Sequence, residues 1–132
     1  MAQRKALMSA LVCALIEQRR ITTTLQKAKC ARSLAEKMVT LARTDGADGA
    51  AKVRAWRSAT AILKRRNIVR ALFGQVVPAC RERVGGYTRI VKLARRRSDG
   101  AEMAILEWVN LPPVEKKIKK AAEQSDKAQK KD

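Results

Sequence analysis

Apolar residues recur every three or four positions in four segments of the chain, and this period predicts four amphipathic helices. The stripe of the first helix consists of Leu7, Ala10, Leu11, Ala14 and Leu15. The second helix runs from Leu25 to about Arg43, and its stripe consists of Ala28, Ala31, Leu34, Ala35, Met38, Leu41 and Ala42. The third runs from about Ala50 to Arg65, with Trp56, Ala59, Ile62 and Leu63 on its apolar side. The stripe of the fourth consists of Ile68, Val69, Leu72, Phe73, Val76 and Val77.

Short polar segments and a proline set the helix boundaries. Thr24 is the predicted N-cap of the second helix, and Asn67 is the predicted N-cap of the fourth. The segment "TDGADG", residues 44–49, is a turn signal that separates the second and third helices. Pro78 is expected to end or kink the fourth helix, because proline has no backbone N–H to donate.

Three segments favour extended strands instead. "RITTT" (Arg20–Thr24) is rich in β-branched residues, and residues 85–110 contain two such stretches joined by a polar turn. Gly85 and Gly86 permit a reversal of the backbone before the first of these two strands. The predicted order is helix, strand, three helices, two strands. We therefore predict an α/β (α+β) fold, a two-layer sandwich in which helices pack on a three-stranded sheet.

The length of 132 residues favours one domain, which we place at residues 1–113. Residues 114–132 are Lys, Glu, Ala, Gln and Asp with few apolar side chains, so we expect a charged, solvated tail. The N-terminal apolar segment is periodic and has no small-residue cleavage site, so we interpret it as a helix of the mature protein. No apolar run approaches the roughly 18 residues that span a bilayer.

The net charge of the chain indicates the class of its partner. The chain has 30 Lys and Arg against 12 Asp and Glu, a formal net charge of +18. Such a surface repels itself, and a polyanion relieves the repulsion. Nucleic acid is the first candidate partner, ahead of an anionic membrane surface and an acidic protein.

The cations occur in runs with few interspersed acids, which favours phosphate contact over a mixed solubility surface. The turn between the last two strands contains three consecutive arginines, although a turn needs no cations to form. The pattern does not distinguish DNA from RNA. The residues predicted from charge to contact nucleic-acid phosphates are Arg4, Lys5, Arg19, Arg20, Lys64, Arg65, Arg66, Arg81, Arg83, Arg89, Lys92, Arg95, Arg96 and Arg97. Tyr87 is a candidate for stacking on a base, whereas Trp56 and Trp108 are expected in the core or at its rim.

Signatures of catalysis are missing from the sequence. There is no His, no glycine-rich phosphate loop and no CxxC pair, so we predict no enzyme activity, no cofactor and no zinc site of the usual kinds. The three cysteines, Cys13, Cys30 and Cys80, are widely spaced and are interpreted as reduced thiols. Asp45, Asp48 and Asp99 lie in predicted turns, where Asp is common.

Two separated parts of the sequence resemble one family: residues 20–43, and the pair of predicted strands within residues 85–109. "RITTTLQKAKCARSLAEKMVTLAR" (residues 20–43), followed by "GGYTRIVKL" and "AEMAILEWV", is similar to the bacterial large-subunit ribosomal protein conventionally numbered seventeen. The resemblance covers residues 3–110. It implies a two-layer fold with the same element order, incorporation into the large ribosomal subunit, and binding to large-subunit rRNA near the exit of the peptide tunnel beside other ribosomal proteins. The residues in family-motif positions are Thr22, Thr23, Lys27, Lys29, Arg32, Tyr87, Thr88, Arg89 and Lys92.

The sequence also departs from the family pattern. Family members usually carry a basic arm before the first helix, whereas this chain begins almost at that helix, so either the arm is lost or the start is internal. Gln3 stands where the family often has His. Cys30 and Ala31 replace a commoner Glu-Leu pair, which should alter packing and charge but not the fold.

The leading hypothesis is a structural rRNA-binding protein of the cytoplasmic ribosome of a bacterium, with rRNA and neighbouring ribosomal proteins as partners. An organellar ribosome is a less favoured location. The alternative from another class is a free DNA-binding regulator. Such a protein needs a short turn between two helices and a reading helix with Asn, Gln or Arg grouped on one face. The turn at residues 44–49 is longer than that, and the helix carrying Lys27–Lys37 lacks the grouping.

Overall fold

A computed structural model describes residues 2–43 and 48–111. Its elements are, in order, α1 (Ala2–Gln18), β1 (Arg20–Thr24), α2 (Leu25–Ala42), α3 (Gly49–Leu63), α4 (Arg66–Ala71), a π-helical turn (Leu72–Val76), α5 (Val77–Ala79), β2 (Thr88–Lys92) and β3 (Met103–Trp108). Because α4, the π-helical turn and α5 are contiguous, they correspond to the predicted fourth helix. The predicted α+β class and element order are confirmed. The predicted tail and most of the predicted 44–49 turn lie outside the described residues.

The three strands form one antiparallel sheet in the order β1-β3-β2. The central strand, β3, pairs Leu106 with Ile21 on one side and with Ile90 on the other. Side chains alternate between the two faces of a sheet. Ala104, Leu106 and Trp108 are fully buried on the face that contacts the helices. The opposite face carries Glu107 and the half-buried Ile105.

The core lies between this sheet and the helices. Its residues are mainly aliphatic, and Trp108 is the largest side chain among those that are fully buried. Trp108 donates its indole N–H to the carbonyl of Leu15, at 3.1 Å, near the end of α1. The same carbonyl also accepts the backbone N–H of Arg19 at 2.7 Å. The indole bond therefore adds a second donor there and ties α1 to the central strand. Trp56 packs at the edge of the core against Phe73, as expected of a rim residue.

The buried face of α1 differs from the predicted stripe. The helix buries Val12, Cys13, Leu15 and Ile16, whereas Leu7 is 40% exposed. Positions 6–16 of α1 are apolar on nearly every side, so the pattern alone does not fix which face packs. The stripe of α2, in contrast, lies on the packed face: five of its seven residues are buried, and Leu34 and Leu41 are half-buried. The prediction missed Val39, which is fully buried on the same helix.

Three boundaries refine the sequence interpretation. Thr24 lies at the N-cap of α2 but makes no side-chain capping bond, and the N–H of Leu25 is instead satisfied by the carbonyl of Glu102 at 2.8 Å. The N-cap of α4 is Arg65, so the prediction of Asn67 was wrong by two residues. Pro78 is accommodated just after the π-helical turn, and the helical segment ends at Ala79. Within the described part of the chain, no helix has the length and apolar character needed to cross a membrane.

Candidate nucleic-acid interface

A groove of about 1000 Å³ lies where the N-terminal half of α1, the middle of α2 and the C-terminal end of α3 meet. We call it the basic groove. Its cationic side chains are Arg4, Lys5, Lys37, Lys64 and Arg65, and its larger apolar side chains are Met8, Leu34, Ile62 and Leu63. All five cations are exposed, and none of the groove-lining residues is acidic. The groove thus combines concentrated positive charge with an apolar surface.

Hydrogen bonds between α1 and α3 fix one wall of the groove. The hydroxyl of Ser9 donates to the carbonyl of Ile62 at 2.7 Å, and the buried thiol of Cys13 lies 3.6 Å from the carbonyl of Leu63. The accepting carbonyls belong to the last turn of α3, which lacks intrahelical donors. Helix α1 therefore holds the end of α3, and with it Lys64 and Arg65, in a defined position.

Lys64 ends α3 in the left-handed conformation, with φ of 62°. Its N–H bonds to the carbonyl of Thr60 at 2.8 Å, as in a common helix-ending arrangement. Glycine is the usual residue there, because a side chain makes this conformation costly. The reversal directs the chain from α3 into Arg65 and Arg66 at the start of α4.

A second cluster of charge lies on the sheet face opposite the helices. The register sets Arg20 of β1 and Arg89 of β2 on either side of Glu107 in β3. Arg20 bonds to Glu107 at 2.7 Å, and Arg89 donates to the other carboxylate oxygen. Burial disfavours the charged carboxylate, but the bonds from the two guanidinium groups outweigh it and lower the pKa of Glu107. Two predicted phosphate ligands are thus partly neutralised by an internal acid.

The arginine-rich turn between β2 and β3 also contains its own acids. Arg96 binds Asp99 through two bonds of 3.0 and 2.6 Å, and this bonding lowers the pKa of Asp99 to about 2. Arg95 lies 3.7 Å from Glu102, and both side chains are more than half exposed. Arg97 is exposed and has no ion pair among the described residues. The three arginines are therefore accessible, but two of them already have carboxylate partners.

Arg43, at the end of α2, anchors the segment that leads into β2. It donates to the hydroxyl of Tyr87 at 3.1 Å, to the carbonyl of Arg81 at 2.5 Å and to the carbonyl of Arg83. Arg81 and Arg83 are held on this segment with exposed side chains. Tyr87 is only 4% exposed, so the expectation that its ring stacks on a base needs correction. The ring packs in the core, and its hydroxyl serves as an acceptor for Arg43.

The structure separates the other predicted contact residues by position. Arg4, Lys5, Lys64 and Arg65 converge in the basic groove, whereas Arg20 and Arg89 converge on Glu107. Arg32 lies 3.5 Å from Glu36 on the same helix, and Arg19 is half-buried with a bond to Gln75. Residues that are exposed outside these clusters are Thr22, Lys27, Lys29, Arg66 and Lys92. Thr23 of β1 is half-buried, and Thr88 of β2 is buried and donates to Glu36 at 3.2 Å.

Sequence reasoning missed Lys37, which lines the basic groove. It lies seven positions after Cys30 and three after Leu34, so all three residues belong to one face of α2. That spacing was a usable signal, but it becomes informative only when α1 and α3 are seen to flank this face. The role of Glu107 was also missed, because an acid within an apolar strand gives no indication of its partners.

The three thiols are free, as expected. Cys13 and Cys80 are buried, whereas Cys30 is half-buried on the groove, with its sulfur 3.9 Å from the Arg4 guanidinium. Burial raises the pKa of both Cys13 and Cys80. Across residues 2–43 and 48–111, no group of three or more His, Cys, Asp or Glu side chains is arranged to hold a metal ion.

Comparison with known proteins agrees with the resemblance carried by the strands and by α2. Residues 7–109 match the family described as "Ribosomal protein L17". A protein of Akkermansia muciniphila named "Large ribosomal subunit protein bL17" is 44% identical over 111 residues, which cover 84% of this chain and 77% of that protein. Proteins with the same name from Dictyoglomus thermophilum and Clostridium acetobutylicum are each 43% identical over 107 residues, covering 81% of this chain and 87% and 89% of theirs. The chain belongs to the ribosomal protein L17 family.

Proposed function

We propose that this protein is a structural constituent of the large ribosomal subunit that binds large-subunit rRNA, with the basic groove as its principal contact. The observation that carries the proposal is the convergence of five cations from separate helices on one groove without an acid. Family membership supports the ribosomal setting, and the names of the relatives refer to the large subunit. A location near the exit of the peptide tunnel, beside other ribosomal proteins of a bacterial ribosome, is part of the same proposal.

The physical role follows from charge and rigidity. Where rRNA segments crowd together, their phosphates repel one another, and fixed cations lower that repulsion. The bonds from Ser9 and Trp108 hold α1 against α3 and against the sheet, so the groove cations project from a rigid frame. Contacts of this kind position RNA and recognise its shape, and they carry little sequence information.

The sheet face and the arginine-rich turn have a supporting role in the proposal. Exposed ion pairs contribute at most about 1 kcal/mol, so a phosphate can replace the carboxylate partners of Arg95 and Arg96 at low cost. Arg97 needs no such exchange. Arg20 and Arg89 are held more firmly, because Glu107 is buried between them. We therefore expect the turn to contact RNA more readily than the Arg20–Glu107–Arg89 cluster.

The test is sedimentation of the tagged full-length chain in a bacterial extract at moderate salt. The proposal predicts that the protein travels with large subunits and stays associated after a wash that removes weakly bound basic proteins. A tagged basic protein from outside the ribosome serves as the control for adventitious binding. Recovery in the free fraction contradicts the proposal, and recovery on chromosomal DNA supports a DNA-binding regulator instead.

A further inference from the structure

The basic groove contains more apolar surface than phosphate binding requires. Met8 and Leu34 are half-buried and pack against the core, and Ile62 is 36% exposed. These side chains line the groove together with its five exposed cations. The exposed part of this apolar surface gains free energy when a ligand covers it, which phosphate contact alone does not do.

The occupant must therefore combine negative charge with an apolar face. An RNA duplex presents phosphates and sugars on its outside and keeps its base faces stacked within. An unpaired nucleotide presents both a phosphate and an exposed base face. The groove volume of about 1000 Å³ is at the upper end of the roughly 300–1000 Å³ typical of ligand pockets. The charge is complementary to a polyanion, because the lining includes five cations and no carboxylate.

We propose that the basic groove holds unpaired RNA, with a base against Leu34 and Ile62 and the adjoining phosphates on Arg4, Lys37 and Arg65. This inference rests on the proposed rRNA-binding function and adds the class of RNA that the groove takes. A base buried against aliphatic side chains gains from the hydrophobic effect, and the cations hold the backbone on both sides of it.

Cys30 provides a reporter inside the groove. Its thiol is half-buried and lies beside Arg4, so bound RNA covers it. Cys13 and Cys80 are buried, and their raised pKa leaves little of the reactive thiolate. Alkylation of the three thiols can be followed separately by mass spectrometry of the peptides, with Cys80, which is buried and does not line the groove, as the internal control.

The experiment uses the full chain and four probes of equal length: oligouridylate, the same oligomer without bases, an RNA duplex and oligoglutamate. Affinity and the rate of Cys30 alkylation by iodoacetamide are measured for each probe. We expect oligouridylate to bind roughly tenfold more tightly than the abasic oligomer, and to slow Cys30 alkylation the most. Equal binding of these two oligomers, without protection of Cys30, overturns the inference while leaving RNA binding intact.

Two variants of α3 test whether the apolar surface of the groove contributes to binding independently of its cations. Ile62→Gln should lower the affinity for oligouridylate by a larger factor than the affinity for the abasic oligomer. Val53→Gln is the matched control, because Val53 is an exposed aliphatic residue of the same helix that does not line the groove. Equal effects of the two variants contradict the inference.

Other outcomes distinguish the sources of failure. Protection of Cys30 by oligoglutamate as strong as that by oligouridylate identifies the groove as a site for an acidic protein segment, which overturns the inference. If neither oligouridylate nor the RNA duplex binds at low salt, the proposed rRNA-binding function fails together with this inference.

Discussion

Glu107 illustrates how the sequence places charge at the scale of single residues. It is a carboxylate in the central strand that would be costly to bury alone, and the strand register sets an arginine on either side of it. Asp99 makes a comparable bond to Arg96, but on an exposed turn. The two acids have the same chemistry and differ in burial, so they form a natural pair of variants.

Glu107→Gln should destabilise the protein by about 1–3 kcal/mol, because it leaves two guanidinium groups next to a neutral group in a partly buried position. Chemical unfolding in urea measures the change. Asp99→Asn is the control, and it should alter stability little because its ion pair lies in solvent. Equal effects would mean that burial of Glu107 contributes nothing.

The lowered pKa of Glu107 makes a prediction for pH. A group whose pKa is lower in the folded state stabilises the fold above its unfolded-state pKa, and this contribution is lost as the pH falls through the folded-state value. The usual value for this carboxyl is 4.5, so the loss should begin near that pH and continue below it. Wild type should therefore lose more stability than Glu107→Gln between about pH 5 and pH 3. Parallel pH profiles for the two proteins would contradict the assigned cause.

At the scale of elements, the sequence predicts secondary structure better than it predicts the packed faces. The β-branched run at Arg20–Thr24, and the two such stretches joined by a polar turn within residues 85–110, made the strands evident. The face of α2 was predictable because lysines and arginines mark its exposed side. The face of α1 was not, since leucines and alanines lie on most of its sides, and contact with the sheet and with the other helices selects the buried side.

The end of α3 gives a prediction at this scale. Lys64→Gly should leave stability unchanged or raise it by up to about 1 kcal/mol, because glycine adopts a positive φ without the side-chain penalty. The same variant should bind rRNA less tightly, since it removes one groove cation. Thermal unfolding and filter binding measure the two effects. Arg57→Gly, an exposed position in the interior of α3, should instead destabilise the protein by about 1 kcal/mol. Similar losses for both glycine variants would contradict the left-handed ending at Lys64.

At the scale of the whole molecule, the net charge of +18 was sufficient to predict a polyanionic partner. It was not sufficient to predict the basic groove, which depends on three helices meeting at one place. Arg4, Lys37 and Arg65 are far apart in the sequence, and no local spacing connects them. The resemblance supplied the family, while the tertiary structure supplied the grouping of its cations.

The proposed domain boundary is tested by removing residues 114–132. That segment contains only two large aliphatic residues, Val114 and Ile118, so its removal should change the melting temperature little. Circular dichroism of the purified truncated and full-length proteins, at the same concentration and ionic strength, provides the comparison. A large drop in the melting temperature would show that the segment packs on the fold and that the domain extends beyond residue 113.

The most direct test of the central claim is the salt dependence of binding to purified large-subunit rRNA. The slope of log affinity against log salt is negative, and each phosphate contact contributes about 0.7–0.9 to its magnitude. Replacing Arg4, Lys37 and Arg65 with Gln should therefore lower that magnitude by roughly 2–2.7. Replacing Lys52, Arg54 and Arg57 with Gln removes the same charge from α3 outside the groove, and should lower the magnitude of the slope by less than about 1. Equal reductions for the two triple variants would show that binding follows total charge, and would contradict the basic groove as the principal rRNA contact.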